Sequence, residues 1–309
     1  MLVLGLDGGG TKTEVALADR TGRVVRFEAG GGLDPTAAGD WEGRLQDLVA
    51  GMVPERAVLG LPCFSEVAAI SQRQQAVATQ LLGPGARVRN DVDVAFEGAL
   101  GGRDGVLILA GTGAMAWARG RLGTARAGGF GDAFGDEGSA NWIGREALNL
   151  VSRHLDGRRR SAGFARGILA ALGIAGQDLI GWTYGAGAGR ARIAQVARHV
   201  AALAAEGNGE AARLLRRAAR ELALQGRAAG RAAGLEGMRW SYAGGVMGNP
   251  VLRRMVADAL GVEPVAPLLP PVGGAVLAAA EAAGWDVGDE FKVRLASTLR
   301  DAARIKEAE

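Results

Sequence analysis

"LGLDGGGTKTEVALAD", residues Leu4 to Asp19, sets three consecutive glycines and one carboxylate between two short runs of alternating apolar residues. The apolar run from Leu2 to Leu6 and the alternation around Val15 and Leu17 read as two strands of a hairpin, with the glycines as their turn. Asp7 stands just before that turn, and Thr11 and Lys12 just after it. A turn glycine ordinarily does no more than permit positive φ, and an aspartate beside it ordinarily caps the turn. A loop without side chains has a second use: its backbone N–H groups can approach phosphate oxygens, with a nearby acid holding the magnesium that accompanies a nucleotide.

Outward from the hairpin, Thr21-Gly22 marks another turn, and Val24, Val25 and Phe27 a third strand. A loop from Gly30 to Gly39 leads to a helix expected over Trp41 to Val53, with Leu45, Leu48, Val49 and Met52 at helical spacing. "RAVLGLP" reads as a short buried strand ended by Pro62, and Glu66 to Leu82 as a helix. "ARVRND" runs as a strand into Asp91, "VDVAFEGAL" is helical, and "GVLILAGTG" is an apolar strand ending in glycines. Three strands followed by alternating helices and strands predict a mixed sheet flanked by helices. "AMAWARGRLGTARAGGF" begins the pattern again, which predicts a boundary near Gly113. Beyond it lie a helix capped by Ser139, long Ala/Arg helices from Arg190 to Ala205 and from Glu210 to about Leu235, and the strand "RWSYAGGVMGN". Helices beginning at Pro250 and within "PPVGGAVLAAAEAAG" follow.

A chain of 309 residues predicts two domains of ordinary size. Apolar content of 48%, charged content of 22% and the absence of an eighteen-residue apolar run describe a globular protein without a membrane span. "MLVLGLDG" carries no basic leader, so a cytoplasmic protein is expected. Cys63 is the only cysteine, which excludes an internal disulfide and a thiolate metal cluster within one chain. The sequence pI is about 9.5, yet the net charge is only +3 and the bases are spread along helices. Solvated arginine faces, not a nucleic-acid surface, are the expectation. Lysine occurs only at Lys12, Lys292 and Lys306, so Lys12 in the glycine stretch departs from the chain's habit. His154 and His199 fall on helices without a partnered nucleophile and read as structural; Trp142, Trp182 and Cys63 read as core.

Glycine clusters recur at strand ends or turns: Gly8 to Gly10, Gly111 to Gly113, Gly128 to Gly138 and Gly244 to Gly248. None matches a P-loop, and "GGGTKT" lies between two strands, whereas a P-loop joins strand to helix. "GTGAMA" fits a dinucleotide fingerprint after an apolar strand, but strand and turn follow it where a Rossmann helix is required.

Taken in order, the motifs resemble those of the actin, sugar-kinase and heat-shock-chaperone ATPase superfamily, and most of all N-acetylglucosamine kinases and the related BadF/BadG/BcrA/BcrD ATPases. "DGGGTKT" resembles the first phosphate loop, "AGTG" the second and "YAGGVMGN" the adenosine loop. "GGFGDAFGDEGSANWIGREAL", Gly128 to Leu148, is similar to the branch's most distinctive segment, and the likeness runs from about residue 2 to residue 284. The resemblance implies an α/β protein of two ribonuclease H-like, actin-like ATPase domains, residues 1–112 and 113–309. Each would have a mixed sheet flanked by helices, set around a central cleft, usually in a homodimer. The implied activity is ATP-dependent, Mg2+-assisted phosphorylation of a sugar, without nucleic-acid or membrane partners.

By the same resemblance Asp7 would hold Mg2+. Gly9, Gly10, Thr11 and Lys12 would meet the phosphates, with Gly111, Thr112 and Gly113 meeting them from the other domain. Gly244, Gly245 and Asn249 would border adenine and ribose. Asp91, otherwise readable as a helix N-cap, would accept the hydroxyl proton; Asn90 would orient sugar hydroxyls, and Asp136 and Glu137 would meet hydroxyls at the cleft mouth. In "GGLDPT" Asp34 stands where related kinases tend to carry Asn. An amide donates and accepts, an ionised carboxylate only accepts, which departs from the pattern expected for N-acetylglucosamine and leaves glucosamine, whose ammonium can pair with Asp34, or another hexose open. Two other roles remain open: an ATPase activating a CoA-linked enzyme, which needs cluster cysteines, and a non-catalytic sugar-sensing regulator, against which the intact Asp7, Asp91 and "GGGTKT" argue.

Overall fold

The glycine-interrupted hairpin forms as read in the computed structural model, which describes residues 1–37, 39–187 and 189–308. Ala38, within the loop expected from Gly30 to Gly39, lies outside the described residues. Strands β1 (Leu2–Gly8) and β2 (Lys12–Asp19) pair antiparallel, with Leu6 opposite Val15 and Gly8 opposite Thr13. β3 (Val24–Gly31) adds antiparallel to β2; β4 (Arg56–Leu61) and β5 (Ala86–Asn90) add parallel on the other side, giving the order β3-β2-β1-β4-β5. Period-two alternation sorts the sheet's two faces. Leu4, Leu6, Val15 and Leu17 form one core with Leu45 and Val49 of α1 (Trp41–Val49) and Val77 and Leu82 of α2 (Ala68–Leu82).

The opposite face, Val3, Ala16, Ala18 and Val58, packs with Val94 of α3 (Asp91–Leu100) and with two helices from the far end of the chain, α10 (Pro271–Ala282) and α11 (Asp289–Ala308). Small residues make this packing close. A Cβ on Gly5 would lie 2.3 Å from the Val276 nitrogen, and one on Gly274 would lie 2.0 Å from the Val94 carbonyl oxygen. The paired glycines of "PPVGGAVL" therefore serve helix contact. On α11, Thr298 Oγ1 accepts from the Val24 N–H at 3.1 Å, tying the helix to β3.

The second sheet repeats the path with one strand fewer: β6 (Gly105–Ala110), β7 (Ala114–Gly120), β8 (Gly123–Gly128) and β9 (Trp240–Ala243) in the order β8-β7-β6-β9, antiparallel except for β6 with β9. Where β5 stands in the first sheet, residues 262–265 run beside β9. Val265 N–H donates to the Trp240 carbonyl at 2.8 Å and Ser241 Oγ donates to the Val265 carbonyl at 2.8 Å. Pro264 has no N–H to add to a ladder, and no strand forms there. Around this sheet lie α4 (Ala140–Leu155), α5 (Ala162–Leu172), α6 (Leu179–Tyr184), α7 (Arg190–Ala205), α8 (Gly209–Ala232) and α9 (Pro250–Leu260). Their core gathers Ile108, Trp240, Phe164, Val196 and Leu222.

The chain divides into two compact units, Met1–Arg103 with the residues from Ala266 onward, and Asp104–Val265. It thus passes between units twice, where a single boundary at 112/113 was expected. "GVLILA" is the first strand of the second sheet, not the last of the first, because its apolar run pairs with β7 and β9. Helices α10 and α11 return to the first unit because the apolar face of its sheet is completed by them. Helix α1 stops at Val49, short of Val53, as the chain turns through Gly51 at φ 71°. No single helix among the described residues is long and apolar enough to cross a membrane.

Candidate active site

In the first unit, three parallel strands end at one edge of the sheet, the usual place for ligands in α/β sheets. Asp7, the penultimate residue of β1, lies opposite Glu14 of β2 and opposite Gly60 of β4. A Cβ on Gly60 would come 3.3 Å from Asp91 Cα and 2.2 Å from Val94 Cγ2, so the missing side chain lets the start of α3 settle beside Asp7. The first glycine turn is held by its neighbour: Leu33 N–H donates to the Gly9 carbonyl at 3.0 Å, and a Cβ on Gly32 would lie 2.2 Å from the Gly10 oxygen. That contact brings Asp34, the next residue, to the same edge. The loop after β4 turns through Cys63 and Ser65, both non-glycine residues at positive φ (64° and 65°), before Glu66. Non-glycine residues keep such conformations only where the surroundings impose them; here Asn90 Nδ2 donates to the Phe64 carbonyl at 3.0 Å.

Charge confirms the gathering. The half-buried Asp7 carboxyl is pushed up to about 7 by burial and by the negative charges of Asp91 and Glu14, opposed by Lys12. Asp91 is pushed up to about 6, chiefly by burial; the Val92 N–H opposes the rise, and Glu66 and Asp34 add to it. The Cys63 thiol is raised by burial and by Asp34, Glu66 and Asp91. Asp34, Cys63, Glu66 and Asp91 therefore share one neighbourhood, adjoined by Asp7 and Glu14. Among the described residues no three His, Cys, Asp or Glu side chains converge as a self-sufficient metal site. Mg2+ suits this edge in its usual manner, through one or two hard carboxylates with water and phosphate completing the shell, and a cation there relieves the crowding of like charge.

The structure refines several of the expected roles. Asn90, not Asp91, is the N-cap of α3: its Oδ1 accepts from Val92 N–H at 3.0 Å, while Asp91 Oδ1 accepts from the same N–H at 2.9 Å. Engaged at both ends of its amide, Asn90 fixes the helix start and the loop beside it. Asp34 Oδ1 accepts from the backbone N–H and hydroxyl of Thr36 at 2.8 and 2.7 Å. Lys12 Nζ lies 2.7 Å from Glu14 Oε1, along the strand. Gly9 N–H donates to the Lys12 carbonyl at 2.9 Å, closing the turn that holds Gly10 and Thr11, both exposed.

In the second unit the turn Gly111, Thr112 and Gly113 is braced from behind. A Cβ on Gly113 would lie 2.4 Å from Arg190 Nη2 and 2.9 Å from Asp136 Oδ2, and those two groups form an ion pair at 2.5 Å. Asp136 is 3% exposed and sits at φ 57°. It supports this turn from within the unit, a different position from the open cleft mouth expected for it. Glu137 is half-buried, and its carbonyl accepts from Gln225 Nε2 at 3.0 Å. Ser139 caps α4 as read, accepting from Trp142 N–H at 3.1 Å. At the end of β9, Gly244 turns at φ 89° with its Cα so near the Ala110 carbonyl that a Cβ would be 2.4 Å from that oxygen. Asn249 caps α9, accepting from Val251 and Leu252 N–H groups.

These turns, with α7, enclose a cavity of about 430 Å3 in the second unit, within the roughly 300–1,000 Å3 of small-molecule sites. Of the residues expected at the nucleotide, Gly111, Thr112, Gly245 and Asn249 line it, while Gly113 and Gly244 shape its turns from behind. A Cβ on Gly111 or Gly245 would meet nothing within 4 Å, so bare backbone faces open space. Ile143, Leu215 and Leu252 supply an apolar floor. An apolar cavity edged by exposed backbone fits a nucleoside. Sequence reasoning missed Glu14, Glu66, Arg190, Gln195 and Arg198; only Glu14 left a signal, since counting outward from the turn puts it opposite Asp7.

Two units built on the same strand path, each with glycine turns where its parallel strands end, define the two-domain ribonuclease H-like, actin-like ATPase class. The chain belongs to the BadF/BadG/BcrA/BcrD ATPase family, whose model matches residues 4–279. It is similar to the N-acetylmuramic acid/N-acetylglucosamine kinase of Clostridium acetobutylicum, 28% identical over 264 residues, which are 80% of this chain and 86% of that one. A solved structure from Chromobacterium violaceum, named an N-acetylglucosamine kinase, matches with a TM-score of 0.71 at 28% identity, covering 89% of this chain and 98% of its own. A ROK family glucokinase from Streptomyces griseus, solved with glucose and AMPPNP, shares the fold with a TM-score of 0.55 at 18% identity, over 92% and 100% of the two chains.

Proposed function

We propose that this chain is an ATP-dependent kinase that phosphorylates a hydroxyl of a hexosamine, glucosamine or N-acetylglucosamine, with Asp91 as the base. Family membership and the named kinase relatives support the reaction class. The observation that carries the assignment of the base is Asp91 itself: half-buried at the start of α3, beside Asp34 and Glu66, with its carboxyl raised to about 6. A base raised that far is still ionised near neutral pH and is a stronger proton acceptor than an ordinary aspartate.

In this reading Mg-ATP, when bound, supplies the phosphoryl group and the cation that screens its charge. Asp7, with Glu14 opposite it, holds the cation. The turn at Gly9, Gly10 and Thr11, with Lys12, and the turn at Gly111, Thr112 and Gly113 offer donors to phosphate oxygens. Gly244, Gly245 and Asn249 border the nucleoside. Asp91 accepts the acceptor hydroxyl's proton as that oxygen attacks, and Asn90 holds Asp91 in place. Asp34 meets the amino-sugar substituent; Glu137 stays with the sugar by resemblance, and Asp136 joins Arg190 in supporting the phosphate turn. A homodimer belongs to the same reading and is checked by light scattering.

The test is ADP release across a panel of amino and neutral hexoses with Mg-ATP. Release that depends on glucosamine or N-acetylglucosamine supports the kinase; sugar binding without release would make the chain a sensor. The activator role is the weaker reading, because Cys63 is the only cysteine available to ligate a cluster.

A further inference from the structure

The cavity of the second unit is walled on one side by α7, which turns Ala191, Ala194, Gln195, Arg198 and Ala201 toward it. Spacings of three and four residues put these on one helical face. The alanines make that face low and flat, and Gln195 and Arg198 rise from it one turn apart. Among the described residues neither side chain has a hydrogen bond or ion pair. The other arginines of the same helix differ: Arg190 pairs with Asp136, and Arg192 donates to the Ala186 carbonyl and lies over Trp182. Among the described residues no acid lines the cavity, and Arg198 is the one charged side chain there.

Resting on the nucleotide reading of this cavity, we infer that Gln195 and Arg198 read the purine base of the bound nucleotide and set the enzyme's choice of phosphoryl donor. A glutamine amide carries both an acceptor and donors, which matches the N6–H and N7 edge of adenine, one donor and one acceptor, and mismatches the O6 and N7 edge of hypoxanthine, which presents two acceptors. A guanidinium only donates, lies flat on aromatic rings, and finds ring nitrogens on either base. Gln195 therefore discriminates between the two bases, and Arg198 holds both. The alanine face between them leaves room for a planar ring against α7, above the apolar floor.

The experiment is titration calorimetry of ADP and IDP into the full-length wild type, Arg198→Met and Gln195→Leu, with thermal melts to verify that these exposed substitutions leave the fold intact. We expect wild type to prefer ADP by about tenfold, Arg198→Met to weaken both ligands by about tenfold, and Gln195→Leu to bring the two affinities within about threefold, sizes typical of one hydrogen bond to a charged or neutral partner. Unchanged ADP affinity in Arg198→Met together with an unchanged ratio in Gln195→Leu overturns the inference while leaving a nucleotide site in place. Failure of wild type to bind ADP at all overturns the nucleotide reading and this inference with it.

Discussion

Replacing Asp91 with Asn separates chemistry from folding, because the carboxylate is expected to help one and harm the other. The amide keeps the contact that Asp91 Oδ1 makes with Val92 N–H at 2.9 Å but cannot take a proton. Loss of a general base lowers kcat by about 10^2 to 10^4, or roughly 3–5 kcal/mol of barrier, with ADP affinity unchanged. Stability moves the other way. The carboxyl rises from 3.8 to about 6 on folding, so its ionised form is disfavoured in the native state by at most about 3 kcal/mol. That penalty is fully present above pH 6, fades as pH falls and is gone below the unfolded value near 3.8. Asp91→Asn should therefore melt several degrees above wild type at pH 7, and the gap should close by pH 4. Wild-type kcat/KM should lose about tenfold per unit below pH 6, since only the ionised base accepts a proton. Coupled ADP-release kinetics and melts across pH supply both readouts. Turnover within tenfold of wild type, or a variant that melts lower at pH 7, would refute the reasoning about this group.

Three further outcomes follow from the geometry. Asp7→Asn should raise the Mg2+ concentration needed for half-maximal turnover by at least about tenfold, by analogy with lost metal-site support; an unmoved Mg2+ titration removes Asp7 from the cation's shell. Gly274→Ala should destabilise the protein by about 1–3 kcal/mol or more through overpacking, since its new methyl would sit 2.0 Å from the Val94 carbonyl oxygen; a melting point within about one degree of wild type contradicts the close seating of α10 on α3. Asp34→Asn should shift kcat/KM from glucosamine toward N-acetylglucosamine by about tenfold, the scale of one charged hydrogen bond. An unchanged ratio places the amino substituent elsewhere.

Much of this was legible in sequence because it is local. Alternation and a glycine turn specify the first hairpin, and a register counted from that turn puts Glu14 opposite Asp7. "GVLILAGTG" announces a buried strand ending in bare backbone. What was not legible depends on partners distant in sequence. Apolar character makes α10 a helix, but nothing in "PPVGGAVLAAAEAAG" says which sheet it covers, so its return to the first unit was missed. Gly60 reads as an ordinary strand residue until Asp91 and Val94 are found against it. Asp136 looks like a solvated turn acid in "GDEGS"; its burial follows from Arg190, far along the chain. Gln195 and Arg198 were hidden by composition, since an arginine on an Ala-rich helix reads as solvated surface unless the facing cavity is known.

The repetition of one strand path in two units has a chemical use, because the same sheet edge carries opposite character in each. In the first unit β1 carries Asp7 as its penultimate residue, β2 answers with Glu14, and Gly60 admits Asp91, so carboxylates collect at the edge where the proposed reaction puts its cation and its departing proton. In the second unit β6 ends in Leu109 and Ala110, and β7 begins with Ala114 and Met115; among the described residues no acid lines the cavity beside them. The difference suits the triphosphate of the proposed reaction. Uncompensated carboxylates along the phosphate and base path would repel the ligand, at a cost that grows as water is excluded, whereas bare glycine backbone and a single arginine attract it. Asp136 fits that reading: it is buried behind Gly113 and paired with Arg190, so the turn gains a rigid support without presenting an uncompensated negative charge to the cavity.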